Sequence, residues 1–491
     1  MIFNSLEFLI FLPIVLAGYF LSPVKIKNYF LLVASYFFYM CWNVKYALLL
    51  LGSTLISYLC GLILEKQKSN LAKKWTVAVC FIANLGLLFI FKYLSFFFRT
   101  IEKVLEFTNN HVELPQVSLL LPVGISFYIF QTLGYVMDVY RGEVKAERKF
   151  ATYALFVSFF PQLVAGPIER SKNMLRQLNG EPAKFDFERA KSGFLLMLWG
   201  FFLKLVIADR IAVFVDNVYG DYNAYSGVYL IVATILFAFQ IYCDFYGYSI
   251  IALGVAKIIG ISLTENFNAP YFSVSVSQFW KNWHISLTSW FRDYIYIPMG
   301  GNRKGKWRKY WNILVVFLVS GLWHGASLSF VVWGGLNGIY QIVGSITDKY
   351  RERLCNLLRI QRNSLGCKLV RGVMTFGFVD FAWVFFRSNG LREALQIVRC
   401  MLTVHNPWVL FDGSLYNCGI DQKNMGLLFI CLLILAVVDV YKKRNIHIHS
   451  LILEQDGWFQ IAFISLAIVF IMIFGKYGPM YDAKNFIYFQ F

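Results

Sequence analysis

The stretch "WFQIAFISLAIVFIMIFG" (458–475) holds no charged side chain and, besides its apolar residues, only Gln460 and Ser465. A second stretch, "MGLLFICLLILAVVDVY" (425–441), is almost as apolar. Both approach the roughly 20 residues that carry a helix across a bilayer core. The whole chain follows them: of 491 residues, 58% are hydrophobic, 19% aromatic and 15% charged, far from the balance of a soluble domain. The fold class expected is therefore all-α and integral to a membrane. The early stretch "FLIFLPIVLAGYFL" (8–21) has no basic n-region and no small-residue cleavage site, so it is expected to be a retained span and not a signal peptide.

A net charge of +18 could suggest a nucleic-acid partner, but the basic residues sit in short clusters between apolar segments, where a positive-inside bias puts them. No nucleic-acid partner is expected. Nine cysteines form no CxxC pair, and Cys60, Cys80 and Cys431 lie inside apolar runs, which reads as buried, reduced thiols.

The loops set a topology. "EKQKSNLAKK" (65–74) and "RGEVKAERK" (141–149) are net positive, whereas 99–116 carries Glu102, Glu106 and Glu113 against Arg99 and Lys103. That places the first two in the cytoplasm, the third outside, and the N-terminus outside. "RKGKWRK" (303–309), "DKYRER" (348–353) and "KKR" (442–444) are expected on the cytoplasmic side too. Spans near 6–22, 28–44, 45–64, 75–98, 117–140, 190–217, 226–247, 369–386, 425–441 and 458–475, with 311–345 split into two segments at "SGLWHGAS", give about twelve crossings. An even count returns the C-terminus to the outside. Two apolar segments do not read as crossings: 150–170, interrupted by Pro161, Gly166 and Pro167, and "VSVSQFWKNWHISLTSWFRDYIYIPMGG", which carries Lys281, His284, Arg292 and Asp293. Both are expected to be re-entrant or interfacial, since broken backbone at membrane depth survives only where protein or a cavity satisfies it. With no repeat or linker, residues 1–491 read as one polytopic domain.

Six histidines occur, at 111, 284, 324, 405, 447 and 449. Four lie in loops and read as solvated. His324 lies within an apolar segment, where an imidazole marks either a functional site or a hydrogen bond to a neighbouring helix. His284 is expected on a helix whose Trp280, Trp283, Leu287, Trp290 and Tyr294 recur at spacings of three and four. An interfacial aromatic belt would account for those tryptophans but not for Asn282, His284, Arg292 and Asp293 beside them. Neither histidine has a partner at metal-ligand spacing, and no HExxH, P-loop or GxSxG motif occurs, so no metal is expected. What remains is general base catalysis by a neutral histidine that takes a proton from a hydroxyl as its oxygen attacks an activated acyl group.

"QFWKNWHISLTSWFRDYIYIPMGGNRKG" followed by "SGLWHGASLSFVVWGGLNG" closely resembles the membrane-bound O-acyltransferase family, in the branch with alginate O-acetyltransferases and the D-alanyl transferase of teichoic acids. "LPVGISFYIFQTLGYVMDVYRG" (121–142), "FFPQLVAGPIER" (159–170) and "DFYGYSIIALG" (244–254) are similar to further segments of it. The resemblance implies a ring of about twelve transmembrane helices with re-entrant helices around a thin central tunnel. It implies His324 as the catalytic base, with His284 as its upstream companion. Asn282, Trp283, Arg292, Asp293 and Trp323 would then support and line the tunnel. It also implies a bacterial cytoplasmic membrane, acetyl-CoA as donor, a secreted acyltransferase partner and a polysaccharide acceptor outside.

The segment "FIYFQF" (486–491) resembles a short C-terminal motif of cell-envelope acylation systems in which a tyrosine receives the acyl group before handing it on. The charge count places this tail, 476–491, outside, as that role requires. A tyrosine ester, whose phenol ionises near pH 10, keeps part of the activation of a thioester. Tyr488 is therefore expected to be an acyl carrier, the alternative being an aromatic anchor at the outer leaflet. A D-alanyl transferase fed by a carrier protein keeps the enzyme class but changes the donor. A transporter is the reading from another class; it should show repeat symmetry and paired broken helices, and the sequence has neither.

Overall fold

The computed structural model describes residues 1–108, 115, 119–164 and 166–477; His111 and Tyr488 lie outside them. All regular structure among these residues is helical. Six helices are long and apolar enough to cross a membrane: Val44–Lys66, Asn70–Glu106, Val228–Ile259, Leu365–Arg387, Gln422–Lys443 and Gly457–Phe474. The helix Leu6–Leu21 is apolar but shorter. The last of the six leaves Ile461, Leu466, Val469 and Met472 exposed and buries only Gln460, the pattern of a helix that faces lipid. Other expected crossings are shorter or interrupted. The one near 117–140 is helical only over Ile125–Tyr140, and the one near 190–217 is broken between Phe187–Phe201 and Asp209–Gly220 by a π-helical stretch, Phe202–Ala208.

The residues form two compact units, one of Met1–Met197 with Ile251–Thr264, the other of Leu198–Ile250 with Glu265–Phe491. In the first, small polar side chains bridge helices where no water can. Tyr153 donates to Ser57 Oγ at 2.7 Å, and Ser171 donates to Asp138 Oδ2 at 2.5 Å. The segment 150–170 is broken, as its prolines and glycine predict, into Phe150–Ser158, Phe160–Leu163 and irregular backbone. The Phe156 carbonyl, freed by that break, accepts amide N–H groups from Gln131 and Gln162, each at 2.6 Å. Protein thus supplies the hydrogen bonds that lipid could not.

In the second unit, helix ends are fixed by local chemistry. Asp421 accepts from Asn424 N at 2.7 Å to start Gln422–Lys443, whose last turn carries Lys442 and Lys443. Ser364 caps Leu365–Arg387, and Ser327 caps Leu328–Leu357. The π-helical stretch holds a buried cluster: Lys204 Nζ lies 2.8 Å from Asp209 Oδ1 and 2.6 Å from Asp244 Oδ1, with all three side chains almost wholly enclosed. The same stretch receives the last described residues of the chain. Lys476 N donates to Leu205 O at 2.9 Å, and the Arg210 guanidinium donates to Phe474 O and Asn424 Oδ1. Two carboxylates left without their ammonium in such surroundings are costly. Lys204→Met should destabilise the protein by about 3–5 kcal/mol, read as a lower thermal midpoint in detergent; an unchanged midpoint would show that the cluster contributes nothing to stability.

Candidate functional site

The two segments carrying the histidines belong to the second unit, and each is interrupted at its histidine. The helix Gly305–His324 ends on His324. Gly325–Ser327 make the turn, and Leu328–Leu357 runs back. The pair packs closely because glycines face it: a Cβ on Gly334 would overlap the carbonyl of Phe317, and one on Gly321 the carbonyl of Phe330. The break expected around "SGLWHGAS" is therefore present, and its purpose is steric as well as local.

At His284 the outcome differs from the expected continuous helix. Val276–Asn282 and Ile285–Phe291 are separate helices, followed by a π-helical stretch, Arg292–Tyr296. Between the first two, Trp283 is extended and His284 is left-handed, at φ 44° and ψ 55°. The aromatic spacing of three and four persists on both sides of the break, which is why it reads as one helix. A residue other than glycine in this conformation is uncommon and costs about 1–3 kcal/mol, so the surrounding contacts must hold it.

Both histidines contact one ring, that of Trp323. The centroid of Trp323 lies 4.8 Å from that of His324 and 6.1 Å from that of His284. His324 also meets the edges of Trp333 at 5.0 Å and Phe386 at 5.4 Å, and His284 meets Phe245 at 4.7 Å. Trp333 stacks on Trp383 at 5.7 Å, and Trp383 lies 5.2 Å from Trp283. All these side chains are buried. Trp280 ties the wall together, donating Nε1–H to Asn337 Oδ1 at 3.0 Å, while Asn337 donates to the Trp333 carbonyl at 2.9 Å. Close aromatic packing of this kind holds both imidazoles among apolar surfaces.

Of the supporting residues read from the sequence, Trp323 and Trp283 belong to this enclosure. Asn282 donates to Ser273 Oγ at 3.1 Å and so braces the segment before the break. Arg292 and Asp293 pair with each other, Nε to Oδ1 at 2.7 Å, with the Arg292 side chain 63% exposed. Trp333, Trp383 and Phe386 were not singled out in the sequence. For Trp383 and Phe386 the local hint is "FAWVFFR" (381–387), where aromatics crowd the end of a span, and Trp333 stands in "FVVWGG" (330–335), nine residues after His324. His447 and His449 lie side by side, ring centroids 5.5 Å apart, in and beside the short helix Ile448–Leu453.

A membrane-embedded helical protein with a buried pair of histidines in an aromatic enclosure defines the class, and comparison with known proteins defines the family. Residues 145–377 match the model of the membrane-bound O-acyltransferase family. The chain is 34% identical over 455 residues to a protein of Pseudomonas putida described as a probable alginate O-acetylase AlgI, covering 91% of this chain and 89% of that one. It is 30% identical over 538 residues to the peptidoglycan O-acetyltransferase of Helicobacter pylori, covering 100% and 98%. A teichoic acid D-alanyltransferase of Bacillus subtilis is more distant, 27% identical over 285 residues, 56% of this chain and 71% of that one. The chain belongs to the membrane-bound O-acyltransferase family, and it is a multi-pass membrane enzyme of that class.

The close crossing at Gly334 makes a test of the site's geometry. Gly334→Val should wedge the two helices apart, displacing Trp333 from His324, with a stability loss of about 1–3 kcal/mol and at least about a tenfold loss of acyl transfer. Gly344→Val, on the same helix with open space around its Cα, is the control and should leave transfer unchanged. Equal activity in both variants would show that the crossing does not set the site.

Proposed function

We propose that this enzyme moves an acetyl group from cytoplasmic acetyl-CoA to an extracytoplasmic polysaccharide, with His324 as general base. The observation that carries this reading is the placement of His324 at a helix end among buried aromatic rings, against the same Trp323 that His284 meets. The names of the relatives, an alginate O-acetylase and a peptidoglycan O-acetyltransferase, support acetyl as the group and polysaccharide as the acceptor.

In the proposed step a hydroxyl gives its proton to the His324 imidazole while its oxygen bonds to the thioester carbonyl carbon. The C–S bond then breaks, and the imidazolium returns the proton to the leaving thiolate. The carbonyl end of a helix favours positive charge beside it, which suits a base that must become a cation in passing. The aromatic walls keep water from competing as the nucleophile. His284, packed against Phe245 and Trp323, shapes the donor side of the enclosure.

The first acceptor proposed is the Tyr488 hydroxyl, whose ester would pass the acetyl group to a secreted acyltransferase partner and then to the polymer. Supporting this, the last described residues are held by Leu205 and Arg210, which fixes the root of the segment that leads to Tyr488. The whole chain, 1–491, would act as one polytopic domain of about twelve crossings in a bacterial cytoplasmic membrane, with both termini outside, as the loop charges favour. The D-alanyl reading is the weaker one, since the relative that carries that activity in its name matches only 56% of the chain.

Polymer acetylation in cells tests the reading. His324→Ala should abolish it with the protein still present in the membrane, and Tyr488→Phe, which removes one oxygen and keeps the ring, should lower it at least about a hundredfold. Full acetylation in the first variant would remove His324 as base, and full acetylation in the second would reduce the tail to an anchor.

A further inference from the structure

We propose that Asn266 is a positioning residue for His284: it caps, from a distant segment, the helix that His284 itself leaves uncapped. The inference rests on the proposed role of the enclosure in acyl transfer and extends it to a residue outside the two histidine segments.

A helix begins with backbone N–H groups that have no partner in the preceding turn, and the residue at the N-cap normally satisfies one with its own side chain. In Ile285–Phe291 the N-cap is His284, and its side chain makes no capping hydrogen bond. The imidazole instead lies against Phe245 and Trp323. The capping oxygen comes from Asn266. Its Oδ1 accepts from Ser286 Oγ at 2.6 Å and from Ser286 N at 3.4 Å, at the second position of the helix. Its main-chain carbonyl accepts from Ile285 N at 2.9 Å, at the first. One residue thus meets two of the N–H groups that open the helix.

The same segment straddles the strained residue. Asn268 N donates to Asn282 O at 3.0 Å on one side of His284, and Ile285 N donates to Asn266 O on the other. These two bonds fix the backbone on both flanks of a left-handed, non-glycine residue. Asn266 is itself anchored, its Nδ2 donating to Ser249 Oγ at 3.2 Å, and Asn266, Ser249 and Ser286 are all buried. In such surroundings an amide that satisfies both its neighbours is a rigid strut, and its loss leaves buried polar groups without their bonds. The division of labour follows: Asn266 takes over the capping, and the imidazole of His284 is left to the enclosure.

The test is a double-mutant cycle on the purified full-length protein, reading acetyl transfer from acetyl-CoA, with His324→Ala as the reference for lost catalysis. Asn266→Ala should lower kcat by about ten- to a hundredfold with the KM for acetyl-CoA changed less than about threefold. Asn266→Asp keeps the capping oxygen and the shape, and Ser249 Oγ can donate to it, so it should recover most of the rate. In a His284→Ala background, Asn266→Ala should cost little more, because the residue acts through His284. Should Asn266→Ala fail to assemble in the membrane, Ser286→Ala, which removes the 2.6 Å bond from the other end, carries the same cycle. Multiplicative losses in the cycle, or an Asn266→Ala enzyme with wild-type kcat, would overturn the inference. No acetyl transfer by the unaltered protein would instead count against the proposed function, and the two failures are therefore distinct.

Discussion

A helix interrupted in the interior of a membrane protein must have its freed backbone groups satisfied by protein, and in this molecule two such interruptions fall on the histidines. The helix Gly305–His324 stops at His324, and a three-residue turn returns the chain along Leu328–Leu357. The helix before His284 stops as well, with His284 itself in a left-handed conformation. Each interruption costs stability and each is held by neighbours: Ser327 and the crossing glycines for the first, the Asn266–Asn268 segment for the second. Strain retained at such positions needs over-determination by the surroundings, and the tryptophan wall supplies it.

Aromatic side chains suit this task because they combine a large buried surface with few rotatable bonds. Trp280, Trp283, Trp323, Trp333, Trp383 and Phe386 are all buried, and their edge-to-face and stacked contacts link three separate stretches of chain. The Trp280 N–H serves structurally, donating to Asn337.

Much of this was legible in the sequence. The apolar stretches gave the helical membrane class, the interruption at "SGLWHGAS" gave the hairpin, and the prolines of 150–170 gave its broken form. The choice of His324 followed from the cost of an imidazole in an apolar segment, that of His284 from polar residues that an aromatic belt leaves unexplained, and the structure brings both to Trp323. Other features were hidden for identifiable reasons. The break at His284 was masked because Trp280, Trp283 and Leu287 keep helical spacing across it. The interruption at 202–208 was masked because Lys204 finds its counter-charges at Asp209, five residues on, and at Asp244, far along the chain. Asn266 meets the helix after His284 only through tertiary packing, which no local pattern reports.

The account turns on a transfer that begins at His324 and passes through Tyr488, and the most direct measurement looks for the intermediate. Purified protein would be incubated with isotopically labelled acetyl-CoA, quenched, digested after lysine and arginine, and the peptide 485–491 examined by mass spectrometry. Label on Tyr488 in the unaltered protein, absent after His324→Ala, is the predicted result. Label on Tyr488 that persists in His324→Ala, or polymer acetylation that proceeds at full rate with Tyr488 never labelled, would contradict it.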